Sequence, residues 1–148
     1  MAQTVGLINS SNIRVFSGTS EGAEVVIDKV TECSISVTSD MRDITTKASG
    51  GFRELLPGLK SASLSISGLF AEDATNGYND FASAQLAGTK LFFLYTHVDA
   101  NGAANVGDEQ FQIEGFISSL EQTAGVEDNV GFSMTVEITG TIEREVIA

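Results

Sequence analysis

Apolar and small polar residues alternate along most of this chain, in short runs separated by glycine- and asparagine-containing turns. Because successive side chains of a strand point to opposite faces of a sheet, the alternation predicts half-buried β-strands. The last run shows the pattern best: its apolar residues fall on one face, and its Ser, Thr and Glu residues fall on the other. The predicted strands are Ile13 to Phe16, Glu24 to Asp28, Thr31 to Thr38, Ser61 to Phe70, Lys90 to His97, Gln110 to Leu120 and Gly131 to Glu143.

One helix is predicted between Asn79 and Leu86, with Asn79 as its N-cap and Phe81 and Ala84 in a modest apolar stripe. No internal repeat, low-complexity tract or linker divides the chain, so residues 1–148 are expected to form a single domain. The predicted fold class is mainly β. It is a β-sandwich or barrel-like domain with one short α-helix and a long inter-strand loop.

The predicted loop spans approximately residues 40–60. It is too apolar for a solvated connector and too long for a tight hairpin. Within it, the stretch Leu56-Pro57-Gly58-Leu59 has the chemistry of a turn. Apolar groups that a small domain does not cover itself are expected to be buried on another protein chain. In this segment they are Met41, Ile44, Phe52, Leu55, Leu56 and Leu59.

Charge is unevenly distributed along the chain. Twenty acidic and eight basic residues give a net charge of −12, which argues against adhesion to nucleic acid or anionic lipid through phosphate contacts. Residues 40–60 hold four of the eight bases and only three acids, so this segment sums to +1 and the rest of the chain to −13. The segment is therefore suited to meet the acidic body of another copy at near-contact distance.

Residues able to support catalysis are few. His97 is the only histidine and Cys33 the only cysteine, and both lie in strand-like runs where structural roles are expected. A nucleophile needs a positioned base and an orienting group, and the sequence shows neither. There is no glycine-rich phosphate loop, metal-spaced His/Cys cluster or nucleophile elbow. No catalytic residue, cofactor or metal is therefore expected.

Two further patterns favour ordinary interpretations. The acidic stretch starting at Asp99 resembles a calcium loop, but Ala104 and Gln110 occupy the positions where glycine and an acidic ligand are required. Asn101-Gly102 is better interpreted as a hairpin turn. The first residues lack a basic region and a long apolar run, so neither a secretory signal nor a membrane span is expected.

Three stretches carry a family resemblance: Thr31–Val37 (TECSISV), Asp43–Glu54 (DITTKASGGFRE) and Leu56–Leu69 (LPGLKSASLSISGL). Together they resemble the major tail protein family of long-tailed bacteriophages, whose members form the tail tube. The start of the chain and the predicted helix also suit this family. The most specific part is residues 31–70, and beyond about residue 100 the resemblance is one of strand pattern alone.

The resemblance implies a β-sandwich subunit in hexameric rings, which stack into a hollow tube through which the genome leaves the virion. It implies that a long loop contacts the neighbouring ring and that the subunits close a continuous β-barrel around the lumen. The implied partners are further copies of the chain, the tail terminator, the tape measure and baseplate or tail-tip proteins. DNA would pass without specific binding, no membrane is involved, and the protein would be assembled in the bacterial host cytoplasm into the virion tail.

On this hypothesis, two groups of residues carry the function. The segment 40–60 makes inter-subunit contacts, for which the candidates are Arg42, Lys47, Phe52, Arg53, Leu55 and Leu56. The polar strand faces line the lumen, for which the candidates are Ser34, Ser36, Ser63, Ser65, Ser67, Thr135, Glu137 and Thr139. Alternation alone defines a face and leaves open whether solvent or lumen meets it.

Other function classes remain open at this point. A β-sandwich that recognises a sugar or a host surface would need clustered exposed aromatic residues, but the chain has no Trp and only Tyr78 and Tyr95 as tyrosines. An enzyme is disfavoured by the single histidine. A tube protein of a contractile or secretion machine would share the ring architecture and differ by its sheath partner.

Overall fold

The computed structural model describes residues 6, 12–73, 76–99, 104 and 106–147. In these ranges the chain forms seven strands and one α-helix, which confirms the mainly β fold class. The elements in chain order are β1 (Ile13–Gly18), β2 (Val25–Val26), β3 (Val30–Asp43), β4 (Leu55–Leu69), α1 (Tyr78–Ala87), β5 (Leu91–His97), β6 (Glu109–Thr123) and β7 (Gly131–Val146).

The strands form one antiparallel sheet that folds over on itself. Its strand order is β2-β1-β5-β6-β7-β4-β3. β4 pairs with β7 only along Gly131–Glu137, and β5 pairs with β6 only along Phe111–Gly115, so β6 and β7 each belong to two layers. We call β3, β4, the first half of β7 and the second half of β6 the hairpin layer. The remaining strands and strand halves form the opposite layer.

The bend between the layers coincides with irregular pairing of β6. The ladder between β6 and β7 shifts register between Gln112 and Glu114, and again between Ile117 and Ser119. Such bulges bend a strand and increase its local twist. They allow one long hairpin to pass from the first layer of the sandwich to the second.

The two layers meet in a single hydrophobic core. Phe93 and Ile113 of the opposite layer belong to the same buried cluster as Leu64 and Val136 of the hairpin layer. Phe81 of α1 completes this cluster from the side of the helix. Burial of a side chain of this size stabilises the fold by roughly 1.5–3 kcal/mol. The alternating apolar residues therefore hold the two layers together.

About half of the segment 40–60 is strand, so the prediction of a long loop was wrong in its extent. β3 continues to Asp43 and β4 begins at Leu55, which leaves residues 44–54 between the two strands, with a short 3₁₀ turn at Lys47–Ser49. The result is a long β-hairpin with a structured tip.

The predicted turn at Leu56-Pro57-Gly58-Leu59 was also wrong, because Pro57 lies within β4 and pairs with Met41. Proline lacks the N–H that a central strand would donate on one side. It is tolerated here since β7 joins β4 only from Ser63 onward, and at Pro57 the strand has β3 as its one neighbour.

The helix forms where it was predicted, but its N-terminal cap differs. Gly77 is the N-cap, and its N–H donates to Oδ2 of Asp80 at 3.2 Å. Asn79, the predicted cap, lies inside the helix and donates to Glu72 at 3.3 Å. Gly88 ends the helix with a left-handed φ of 69°, which glycine adopts without strain.

Gly115, at the end of the β5 pairing, provides a stability test of the bend. A Cβ atom there would lie 2.3 Å from the carbonyl oxygen of Glu137. We expect Gly115→Ala to lower the free energy of unfolding by about 1–3 kcal/mol, because the backbone of β7 would have to move. Gly125→Ala is the matched control, since its nearest neighbour is 3.6 Å away, and it should change stability by less than about 1 kcal/mol. Equal urea midpoints for the two variants would contradict this packing.

The structure bears on two further predictions from the sequence. The Asn101-Gly102 turn lies outside the described residues. No helix in the described ranges is long and apolar enough to cross a membrane.

Candidate functional site

Seven of the eight polar residues predicted to line a lumen share one face of the hairpin layer. Thr139 lies just beyond this layer, because it pairs with Glu114, which pairs with Phe92 of β5. Strand register aligns Ser34 with Ser65 and Ser65 with Thr135, and it aligns Ser63 with Glu137 in the neighbouring row. The residues between them in sequence point into the core. Ser36 and Ser67 complete this polar surface of seven residues, and all eight candidates are exposed or half-buried.

Part of this face comes from β6, which the sequence interpretation did not assign to it. Ser119 pairs with Thr135, Phe116 pairs with Glu137, and Glu121 pairs with Ser133. The bulge after Ile117 interrupts the alternation of β6, so a strict period of two does not identify its outward residues. We call the polar residues of β3, β4, β6 and β7 on this side, together with Phe116, the polar face.

The hairpin layer ends in two strand edges without a neighbour among the described strands. β3 is the last strand of the sheet and pairs only with β4. On the other side, β6 pairs with β5 only as far as Gly115, so Phe116–Thr123 has β7 as its one paired strand among the described residues, and α1 is the helix that contacts β6. Unpaired N–H and C=O groups on such edges are ready to bind a further strand. The layer can therefore be extended by pairing at both sides.

A cavity of about 810 Å³ lies between the start of β3 and β1. Its lining includes Cys33 and Tyr95, and burial raises the pKa of both groups. For Cys33, burial is the largest effect, the charge of Arg14 acts in the opposite direction, and that of Glu32 adds a smaller increase. A thiol with a raised pKa is mostly protonated at neutral pH and is a poor nucleophile.

We expect Cys33 to react with iodoacetamide at pH 8 several-fold more slowly in the folded protein than in urea, because less thiolate is present when the thiol is buried. Arg14→Ala should slow the folded-state reaction further, since it removes the charge that favours the thiolate. A rate equal to that of the unfolded chain would contradict the assignment. Mass spectrometry of timed samples measures both rates.

The six predicted contact residues lie on the β3–β4 hairpin and are all exposed. Phe52, at the tip, is 77% exposed, and Leu55 and Leu56 at the start of β4 are 43% and 46% exposed. Leu59 is more exposed still, at 83%. Exposed large apolar side chains concentrated on one element are typical of protein interaction sites. The exposed apolar group also includes Met41 and Ile44.

Hydrogen bonds order the tip although it is exposed. The N–H of Ile44 donates to the carbonyl oxygen of Glu54 at 3.0 Å, and the N–H of Glu54 donates to Oγ1 of Thr45 at 2.8 Å. Asp43 accepts from the N–H of Thr45 at 2.9 Å, and hydrogen bonding by Thr45 lowers the pKa of Asp43. Ser49 Oγ donates to Glu54 at 2.7 Å. A structured tip loses less conformational freedom on binding than a flexible loop does.

The basic residues of the hairpin differ in their partners. Arg53 Nε lies 3.7 Å from Oδ2 of Asp43 in the same chain, although the sequence interpretation gave it a partner on another copy. Within the described part of the chain, Arg42 and Lys47 form no ion pair. Lys60 of β4 is exposed and forms no ion pair among the described residues either, but it lies farther from the tip, so Arg42 and Lys47 are the cations best placed at the tip to bind an external acid.

His97 belongs to a buried pair at the end of β5. Its Nδ1 lies 3.0 Å from Oδ2 of Asp108, and both side chains are 8% exposed. The pair ties the end of β5 to the residue that precedes β6. Among the described residues, no group of three or more His, Cys, Asp or Glu side chains is placed to hold a metal ion.

The fold of this chain is shared with proteins of known structure. No curated protein sequence matches the chain. The tail of an empty gene transfer agent particle, with C6 symmetry, has a TM-score of 0.78 at 20% identity, covering 95% of this chain and 100% of that one. The SPP1 tail tube has a TM-score of 0.70 at 16% identity, covering 96% of this chain and 81% of that one.

A third similar structure is the sheath-tube complex of PVC, an extracellular contractile injection system. Its TM-score is 0.71 at 13% identity, and the match covers 95% of this chain and 93% of that one. At these identities the structural matches show a shared fold. The family model described as phage tail tube protein matches residues 13–144. The chain therefore belongs to the phage tail tube protein family.

Proposed function

We propose that copies of this chain form hexameric rings that stack into the tube of a phage tail, a hollow polar channel for passage of the genome into the host. The proposal rests mainly on the hairpin layer, which has on each side a strand edge without a paired strand and has a polar face between these edges. Family membership supports it, and the number six rests on the C6 symmetry of the similar gene transfer agent tail.

Ring closure would come from pairing between the two free edges. β3 of one copy would lie beside the Phe116–Thr123 segment of β6 in the next. Because the order β3-β4-β7-β6 is antiparallel throughout, β6 of one copy and β3 of the next also run in opposite directions. The new junction would therefore continue the antiparallel pattern of the layer.

The size of such a ring follows from strand spacing. Four strands from each of six copies give about 24 strands, and at ~4.8 Å per strand the circumference is roughly 115 Å. The corresponding diameter between opposite backbones is about 37 Å, and strand tilt would increase it. Side chains would reduce the open width by about 10 Å, since each wall contributes roughly half the spacing of packed sheets.

The polar face would form the wall of the lumen, since the other face of the hairpin layer is buried against the opposite layer. Glu32, Glu121 and Glu137 are exposed there, among serine and threonine side chains. Carboxylates repel the phosphates of DNA, and uncharged hydroxyls bind them weakly compared with Lys or Arg. Such a surface lets DNA pass without holding it.

The hairpin would contact copies in the neighbouring ring. Between Leu55 and Ala62, β4 pairs only with β3, so this part of the hairpin extends beyond the sandwich. Arg42, Lys47 and Phe52 are the exposed groups that a neighbouring copy would cover. Arg53, Leu55 and Leu56 would contact the neighbouring copy beside them.

The remaining assignments follow from the same role. The tube would end at a tail terminator and at baseplate or tail-tip proteins, and it would enclose the tape measure. The protein would be structural and non-catalytic, assembled in the bacterial cytoplasm into the virion tail, without a membrane partner.

A tube of a contractile machine is the second candidate, favoured by the similarity to the PVC sheath-tube complex. The two candidates share the fold and differ by the presence of a sheath on the outer surface. Co-assembly with the protein products encoded beside this chain, followed by electron microscopy, distinguishes a bare tube from a sheathed one.

Electron microscopy of the purified protein tests the assembly, and hydrogen–deuterium exchange tests its edges. We expect hollow six-fold rings or tubes. In the assembled protein, amides of β3 and of Phe116–Thr123 should become protected relative to the monomer, while those of β2 stay unchanged. A protein that stays monomeric at high concentration, including with its tail partners, would contradict the proposal. Tubes without added protection at these edges would exclude this mode of ring closure.

The lumen assignment gives a separate prediction. Ser65→Lys places a positive charge in the middle of the polar face, so tubes of this variant should retain short duplex DNA at low salt and release it at high salt. Ser83→Lys, on the exposed side of α1, is the control and should retain none. Equal retention by both variants, or by neither, would contradict an inward-facing Ser65. Co-sedimentation of tubes assembled in the presence of DNA provides the measurement.

A further inference from the structure

We infer that the hairpin of one copy docks on an acidic rim at the opposite end of the hairpin layer of a second copy, in the adjacent ring. We define the acidic rim as Glu72, Asp73, Glu121, Glu127 and Asp128. This inference rests on the proposed tube and adds to it the receiving surface.

Strand register places the hairpin tip and the acidic rim at opposite ends of the layer. At one end, Asp43 pairs with Leu55, and the tip follows. At the other end, Leu69 pairs with Gly131, and the N–H of Phe70 donates to the carbonyl oxygen of Val130 at 2.8 Å. Residues 70–73 and 121–130 therefore meet roughly 45–50 Å from the start of β4, given the rise of a strand.

Stacking of identical rings in one direction brings these two ends together. A head-to-tail contact joins different surfaces of the two copies, and a repeated contact of this kind produces a filament. The tip end of one hairpin layer must then face the rim end of the next. The same geometry excludes contact between the hairpin tips of successive rings.

The two ends carry complementary charge. At the tip end, Arg42 and Lys47 are exposed, and Arg53 is already paired with Asp43. All five side chains of the acidic rim are exposed. Lys29 is an exposed base at the same end, where its carbonyl oxygen accepts from the N–H of Leu69, so the rim keeps an excess of negative charge. Opposite charges brought into contact favour this register and speed association, with an effect that salt weakens.

The rim end also offers apolar surface for the apolar tip. Val126, in the turn between β6 and β7, is 96% exposed, and Leu69 is 41% exposed. Phe52 is the most exposed aromatic side chain of the tip. Burial of Phe52 against Val126 and Leu69, surrounded by ion pairs, would give an apolar centre with a charged periphery, as protein interfaces commonly have.

Charge reversal with rescue tests the docking surface. The hairpin variant is Arg42→Glu/Lys47→Glu, the rim variant is Glu127→Lys/Asp128→Lys, and the combined variant carries all four changes. The control is Glu21→Lys/Glu143→Lys, which changes the net charge by the same amount as the rim variant. Both positions are exposed and lie away from the two ends of the hairpin layer. Pelleting and electron microscopy give the lowest concentration at which each protein forms tubes.

We expect the hairpin and rim variants each to raise this concentration about tenfold, as the loss of two exposed ion pairs predicts. The combined variant should return to within about threefold of the wild type, and the control should match it. The docking surface would be overturned if the rim variant assembled normally, or if the combined variant assembled no better than the worse of the hairpin and rim variants. In either case, tubes formed by the wild type would leave the proposed function intact. A wild-type protein that forms neither rings nor tubes would overturn both.

Discussion

Replacing Phe52 by alanine is expected to raise the concentration needed for tube formation at least about 30-fold, while the folded monomer keeps its stability. Phe52 is 77% exposed in the isolated chain, so its removal costs the monomer little, within roughly 0.5 kcal/mol. In a covered interface, truncation of an anchoring aromatic residue costs about 2 kcal/mol or more. Urea unfolding measures the first quantity, and sedimentation with electron microscopy measures the second.

Leu86→Ala is the matched control for this prediction. Leu86 lies on α1 and is 89% exposed, so it is a large apolar side chain of similar accessibility outside the hairpin. It should change neither stability nor assembly. Tubes of normal length from Phe52→Ala at wild-type concentration would remove the hairpin tip from the contact. Shortening the hairpin by deletion of Gly50 to Leu56 tests the whole segment in the same assays.

Replacing Phe93 by alanine should, in contrast to Phe52→Ala, destabilise the monomer. We expect it to lower the free energy of unfolding by about 3–5 kcal/mol. Phe93 is fully buried, at 0% exposure, between the two layers. The truncation removes apolar contact and leaves a cavity that the surrounding strands fill only partly. A loss of this size is a large fraction of the roughly 5–15 kcal/mol that stabilises a typical domain.

The measurement is best made in the Phe52→Ala background, below the concentration at which that variant assembles, so that assembly does not contribute to apparent stability. Phe116→Ala supplies the comparison, because it makes the same chemical change at a side chain that is 44% exposed. We expect Phe116→Ala to cost less than half as much as Phe93→Ala. Similar urea midpoints for the two variants would show that Phe93 does not hold the layers together.

The sequence predicts the strands well where a core lies on one side of them. Leu64 and Ile66 alternate with serines in β4, and Met134 and Val136 alternate with polar residues in β7, because each strand has one buried and one exposed face. Alternation of apolar and polar residues no longer indicates a buried face where the hairpin extends beyond the sandwich. Met41 and Leu56 are both exposed, so nothing in the pattern there distinguishes strand from loop.

The error at Pro57 and the omission of β6 residues from the polar face have a common cause. Local turn chemistry at Pro57 is overridden by pairing with β3, and the alternation of β6 is broken by a bulge. Both effects depend on partners that are distant in sequence. The contact candidates, by contrast, could be found from composition alone, since apolar and basic residues concentrate in one segment. Their receiving surface could not, because only the register shows which residues meet at the far end.

Because β6 and β7 run through both layers, the proposed lumen wall and the outer shell share the same backbone. No flexible connection separates the two, so a change in the bend at Gly115 would tilt the hairpin layer relative to the opposite layer. In a closed ring, that tilt would be repeated in every copy and would alter the curvature of the wall. Tube diameter would then be determined by the angle of one hairpin inside each subunit, as well as by the contacts between subunits.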